Sequence, residues 1–280
     1  MFRVLGQIKK LPKNQQQFLS CKVIKLTGPL SEALTFLKEV MSIDEEIDKV
    51  KGKASSLTLL LGFLTFISTG IVLASEKKEL VFLPGILLIV FVFFLFKHLA
   101  LKAVDVPDEL KDGIYPFLNL LKNDVKKNSS CIIDINLTGP RNKKKLVDTL
   151  KIHRGKNYIY RDKWFYGEMT LGDGSILTWN FEDETHHKKY SKKNPRGKIK
   201  YKSKIKMKFE KTLTLLTKIP NKLQDTKKKS RDGSLMIKKK ADKTYIVKFF
   251  RNKRVASQRK VSRNECIEAL KSLFSELRKG

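Results

Sequence analysis

Two uncharged stretches constrain this chain more than any other feature. From Ser55 to Ser75, SSLTLLLGFLTFISTGIVLAS runs 21 residues without an acid or a base; from Leu80 to Phe96, LVFLPGILLIVFVFFLF adds 17 more. A helix needs about 20 mainly apolar residues to cross roughly 30 Å of hydrocarbon. The first run meets that length outright. The second meets it when Lys97 snorkels to the headgroups and Leu99 to Leu101 continue the helix at the interface. Only Glu76, Lys77, Lys78 and Glu79 separate the runs. The sequence therefore predicts a transmembrane helical hairpin over 55–101, with spans at 55–75 and 80–101. Buried core helices of soluble proteins usually keep polar positions on one side, and these runs keep almost none.

Average composition conceals this segregation, because 41% hydrophobic residues would suit a soluble protein. The charge is just as unevenly placed. Residues 1–54 hold 10 basic and 6 acidic side chains, the 76–79 loop is neutral, and residues 97–280 hold 47 basic and 20 acidic. The first apolar run begins beyond the reach of a signal peptide's apolar core, so 1–54 is expected to stay in the mature protein. Lysines near the membrane favour the cytoplasmic side, and the short loop is the easier part to translocate. Both termini are thus expected in the cytoplasm, at a bacterial inner membrane or an intracellular membrane. Cys21, Cys131 and Cys266 form neither a CxxC nor a metal spacing, which fits a reducing compartment.

The soluble part reads as α+β. Residues 1–54 are expected to supply an N-terminal cytoplasmic strand and helix. In that helix Leu30, Leu34, Leu37, Met41 and Ile47 keep helical spacing, and it runs toward the first span. Residues 102–129 are read as a cytoplasmic helix beginning near Pro107, with a stripe of Leu110, Ile114, Phe117, Leu118, Leu121 and Val125. Pro116 inside the stripe demands a kink or restart. From Ser130 the period changes to two. Residues 130–280 are read as a basic β-rich cytoplasmic domain that ends in a helix over 262–278, capped by Ser262 and Glu265. Its expected strands include SCIIDINLT, KNYIY, KWFYGEMTL, SILTWNF, SLMIKKK and TYIVKFF, with a hairpin turn at Leu171–Ser175. Leu26-Thr27-Gly28-Pro29 is echoed by Leu137-Thr138-Gly139-Pro140. Chance, a duplicated unit, or two strands side by side in one sheet would each produce that echo. The last would make the hairpin an insertion into one domain.

One stretch carries more chemistry than the rest. Lys198, Lys200, Lys202, Lys204, Lys206 and Lys208 alternate without a break with Ile199, Tyr201, Ser203, Ile205, Met207 and Phe209. In a strand this puts six ammonium groups on one face, about 6.6 Å apart, and the other face in the core. Glu182 and Glu184 are expected to sit opposite some of them, too few to neutralise the row. Three readings follow. Anionic lipid headgroups or phosphate groups are the nearest complement for a membrane-tethered domain. Lysines also protect a solvated edge strand from aggregation. Nucleic acid, tracked by alternating basic and aromatic residues, is the more distant partner.

Catalytic signals are sparse. Glu182-Asp183-Glu184-Thr185-His186-His187 matches no metal motif and reads as a polar loop. The chain has no phosphate loop and no nucleophile elbow, and no acid lies within the spans. No catalytic residue, metal or cofactor is assigned. The reading leans away from an enzyme and toward a scaffold or binding module, with a homo-oligomer or membrane complex open. The alternative is an oligomeric pore or effector with a cytoplasmic ligand-sensing domain. Gly62, Ser68, Thr69 and Gly70 give the first span a small-residue surface for a neighbouring helix.

Overall fold

A computed structural model describes residues 2–75, 82–125, 129–217, 226–230, 233–240 and 243–254. The chain is mixed helix and sheet and divides into two compact units, one of 1–21 with 38–106 and one of 22–37 with 107–280. The expected C-terminal helix 262–278, the 76–79 loop, Cys266 and the Ala241-Asp242 turn lie outside the described residues.

The first unit is helical. It contains α1 (Phe2–Lys10), α2 (Lys13–Cys21), most of α3 (Leu30–Ser75) and α4 (Phe82–Val104). No proline interrupts 30–75, so α3 runs unbroken from amphipathic to apolar sequence, and the expected division at 54/55 falls inside one helix. α3 and α4 are long and apolar enough to cross a membrane, and in their most apolar windows only 11% and 0% of residues are buried within the protein. Among the described residues nothing covers most of these apolar windows. Phe66, Phe82 and Ile89 are each more than 70% exposed. Gly62 does meet a neighbour: a Cβ there would lie 3.1 Å from the Phe91 ring. Just outside the apolar runs, polar contacts tie the helices together. Lys51 Nζ lies 2.6 Å from Asp105 Oδ2, and the Val106 amide donates to Asp44 Oδ1 at 2.8 Å.

In the second unit the expected 102–129 helix is replaced by two short pieces. A π-helical turn (Leu110–Ile114) hands over to α5 (Tyr115–Leu121), with Pro116 near its start. Pro116 has no N–H to donate, and the wide turn accommodates the restart. Leu110, Ile114, Phe117, Leu118 and Leu121 are all buried, but Val125 has left the helix for a bridge with Leu171.

The described strands are β1 (Val23–Pro29), β2 (Ser130–Asn136), β3 (Leu146–Ile152), β4 (Gly155–Thr170), β5 (Ile176–Lys193), β6 (Ile199–Thr217), β7 (Thr226–Ser230), β8 (Gly233–Lys240) and β9 (Lys243–Arg254). Their order is β1-β2-β4-β5-β6-β9-β8-β7, with β3 on β4, and every pairing is antiparallel. The two LTGP-bearing segments are neighbours. β1 pairs with β2 from Val23 opposite Asn136 to Pro29 opposite Ser130. β1 thus folds with the later strands and not with residues 1–21.

The core sits where α5 meets the sheet. Phe117 packs edge-on against Phe165, Trp179 and Phe181, with centroids 5.4–5.6 Å apart. A bulge in β4 between Lys163 and Phe165 sets two residues against one, so the consecutive Trp164 and Phe165 are both buried. The Leu171–Ser175 turn closes the hairpin as expected, with Gly174 at φ +84° and Asp173 accepting from the Ser175 amide.

Cys131 tests the β1–β2 contact. Its thiol donates to the Gly28 carbonyl, 3.1 Å away, and burial pushes its pKa up, whereas Cys21 is exposed. Iodoacetamide, which reacts with thiolate, is expected to alkylate native Cys21 and to spare Cys131 until denaturant is added. Equal rates at the two sites, mapped by peptide mass, would show that β1 does not hold its place.

Candidate functional site

β4 and β5 are much longer than the expected segments, and β5 and β6 extend as a ribbon past the core. Continuous alternation explains the extension. Glu182–His187 is therefore strand, not a polar loop. Its residues divide by parity: Asp183, Thr185 and His187 continue the Trp179 and Phe181 face, and Glu182, Glu184 and His186 take the other.

The lysine row lies where the alternation puts it. Lys200, Lys202, Lys204 and Lys206 lie on β6 and are exposed, and Lys198 is exposed just before it. Lys208 holds the register position between Glu184 and Lys253. None of Lys198 to Lys206 forms a salt bridge among the described residues.

The expected acidic relief is nearly absent. Glu184 is in register with Lys208 alone, and Glu182 faces Glu210. Glu182 also pairs with Arg161 at 3.2 Å, and Glu184 with His186 Nε2 at 2.7 Å. The row meets more cations instead. Lys188 sits opposite Lys204, and Lys192 opposite Lys200. From Thr185 to Phe209 the chain carries eleven lysines and arginines and no acid, so this stretch offers these pairs no carboxylate of its own. Like charges directly opposite one another destabilise a sheet.

The other face of β6 departs from expectation. Met207 is 1% exposed, but Ile199 is 61% and Tyr201 88% exposed. Cover over the sheet ends near Met207, so the outer ribbon has two wet faces. β9 pairs with β6 only from Met207 onward, which leaves Ile199–Lys206 an edge among the described residues. Edge protection accounts for lysines on β6. It does not account for Lys188, which has ladder partners on both sides, Asn157 of β4 and Lys204 of β6; Lys192 lies past the end of β4.

Two groups at the base of the ribbon were hidden in the sequence. Asp162 and Asp183 face each other across β4 and β5, both at least 98% buried, and Lys145 Nζ reaches Asp162 Oδ1 at 2.6 Å. Parity with Trp179 and Phe181 was the available signal for Asp183. Nearby, His187 Nε2 lies 2.7 Å from Ser203 Oγ. Burial, with Lys189 and Arg141 adding repulsion, holds the His187 pKa below the usual histidine value. Comparison with protein-family models, with curated proteins and with solved structures gave no match.

Proposed function

We propose that this protein is a membrane-anchored binding module whose β5–β6 ribbon engages anionic lipid headgroups or phosphate groups at the cytoplasmic face. The observation that carries the reading is the double lysine row, with Lys188 opposite Lys204 and Lys192 opposite Lys200 and no acid between. Self-repulsion of this kind is relieved by an external polyanion, and near an anionic surface each lysine is worth about 1 kcal/mol. The helices over 55–75 and 80–101 act as a hairpin anchor with both termini in the cytoplasm. Strand pairing supports the even number of crossings: β1 precedes the apolar helices, β2 follows them, and two strands share a sheet only on one side of a bilayer. The lysine bias beside the apolar runs supports the cytoplasmic side.

The whole chain is the right material for the test, because a fragment starting after the helices would lose β1 and open the edge of β2. Protein in phosphatidylcholine nanodiscs is mixed with vesicles of phosphatidylcholine alone or with added phosphatidylserine, and co-flotation is measured. Binding should require phosphatidylserine and fade with salt. The combined Lys200→Gln, Lys202→Gln, Lys204→Gln and Lys206→Gln variant should lose roughly 1000-fold at low ionic strength. Binding indifferent to phosphatidylserine, or unchanged in that variant, would sink the proposal.

A further inference from the structure

The opposite face of the ribbon, where the core face runs past its cover, holds an open depression. Arg154, Lys156, Tyr158, Lys189, Tyr201 and Ser203 are among the residues that line it. Register places Lys156 directly opposite Lys189, Lys189 opposite Ser203, and Tyr201 opposite Ser191. The site thus has a row of two ammonium groups and a hydroxyl across three strands. No Asp or Glu lines it among the described residues. A tyrosine flanks the row on each side. Tyr158 lies toward the core, with the Lys189 ammonium 5.6 Å from its ring. Tyr201 lies toward the tip and is 88% exposed. Each is one same-face step, about 6.6 Å along the strand, from the cationic row.

We infer that this depression binds a nucleotide, with phosphates on Lys156 and Lys189 and the base stacked on Tyr201. The paired lysines call for an anion, and a headgroup or free phosphate would satisfy them equally. The flanking tyrosine gives a flat ring a surface, and a step of about 6.6 Å is of the order that separates a base from its phosphates. Lys202 of the lysine row reaches the rim of the depression, and alternation puts the rest of the row on the other side of the same strands.

Calorimetry on the full chain in phosphatidylcholine nanodiscs, with ATP and with tripolyphosphate as probes, tests the assignment. ATP should bind about tenfold or more tighter than tripolyphosphate, the gain expected from one stacked ring. Tyr201→Ala changes an exposed side chain and should bring ATP down to the tripolyphosphate level without unfolding the sheet. Lys156→Gln with Lys189→Gln should abolish both. The Lys200→Gln, Lys204→Gln and Lys206→Gln variant, which spares Lys202 at the rim of the depression, should keep the ATP preference while losing roughly 100-fold in vesicle binding, which separates this site from the lipid reading. Equal binding of both probes, ATP binding that survives the Lys156 and Lys189 changes, or no ATP binding at all would overturn it. So would single-stranded oligonucleotides that bind more tightly with length, because the depression would then be part of a nucleic-acid track.

Discussion

Replacing Lys145 with methionine is expected to cost the sheet unit about 3–5 kcal/mol, the usual effect of removing one partner from a buried ion pair. The ammonium is drawn from a short 3₁₀ turn and is only 10% exposed, and the Asp162 carboxylate it meets at 2.6 Å is fully buried. Asp183 faces Asp162 across the ladder, so the site concentrates negative charge away from water. Without Lys145 the Asp162 carboxylate loses this ammonium from a site that water does not reach. Adding Asp162→Asn should recover a large part of the loss, because an amide needs no counter-charge. Trp164 and Trp179 both lie in the core, so their fluorescence during denaturation of the detergent-solubilised protein follows this unit. A single-variant loss below about 1 kcal/mol, the range of exposed pairs, would mean that water reaches the cluster.

Alanine at Gly167 should be comparably damaging, by about 3 kcal/mol or more, for a steric reason. A Cβ there would lie 2.1 Å from Trp179 Cζ2 and 2.6 Å from the Ile132 carbonyl oxygen. The tryptophan cannot retreat, since Phe117 and Phe165 pack on it with centroids 5.4 and 5.5 Å away. The carbonyl belongs to the backbone of β2, so the other escape is to pull β2 from β4. Gly172→Ala is the control. Its nearest contact would be an ordinary 3.6 Å to the Asp124 carbonyl, and its stability should stay within about 0.5 kcal/mol of the parent in the same fluorescence assay. Matching midpoints for the two variants would refute the tight crossing of Gly167 and Trp179.

The sequence was most readable where one local force decides the outcome. Uninterrupted apolar runs give helices, and alternation marked the strand at Ser130–Asn136 and the inward face of Leu177, Trp179 and Phe181. It was least readable where long-range pairing decides. Glu182–His187 read as a polar loop, yet β4 and β6 supply ladder partners to every one of those residues. The lysine row was legible from parity alone. The lysines across from it, and the loss of cover beyond Met207, depend on register and on where the packed layer stops, which no single segment encodes. The same limit hid Lys145, Asp162 and Asp183, whose meeting depends on a turn before β3 folding onto β4.

The pairing of β1 with β2 also sets the order of assembly. A ribosome delivers β1 first, and its partner follows 100 residues later, after both apolar helices. Closing so long a loop in free chain is entropically costly. In the proposed topology the helices turn back at the bilayer, which would deliver the chain on either side to the same neighbourhood. Insertion would then precede and enable completion of the sheet, and a chain that failed to insert would present β2 with an unfilled edge. Such edges recruit other strands, so the cell would meet an insertion failure as an aggregating or protease-sensitive polypeptide. In the proposed topology the N-terminal strand would thus serve as a checkpoint on biogenesis.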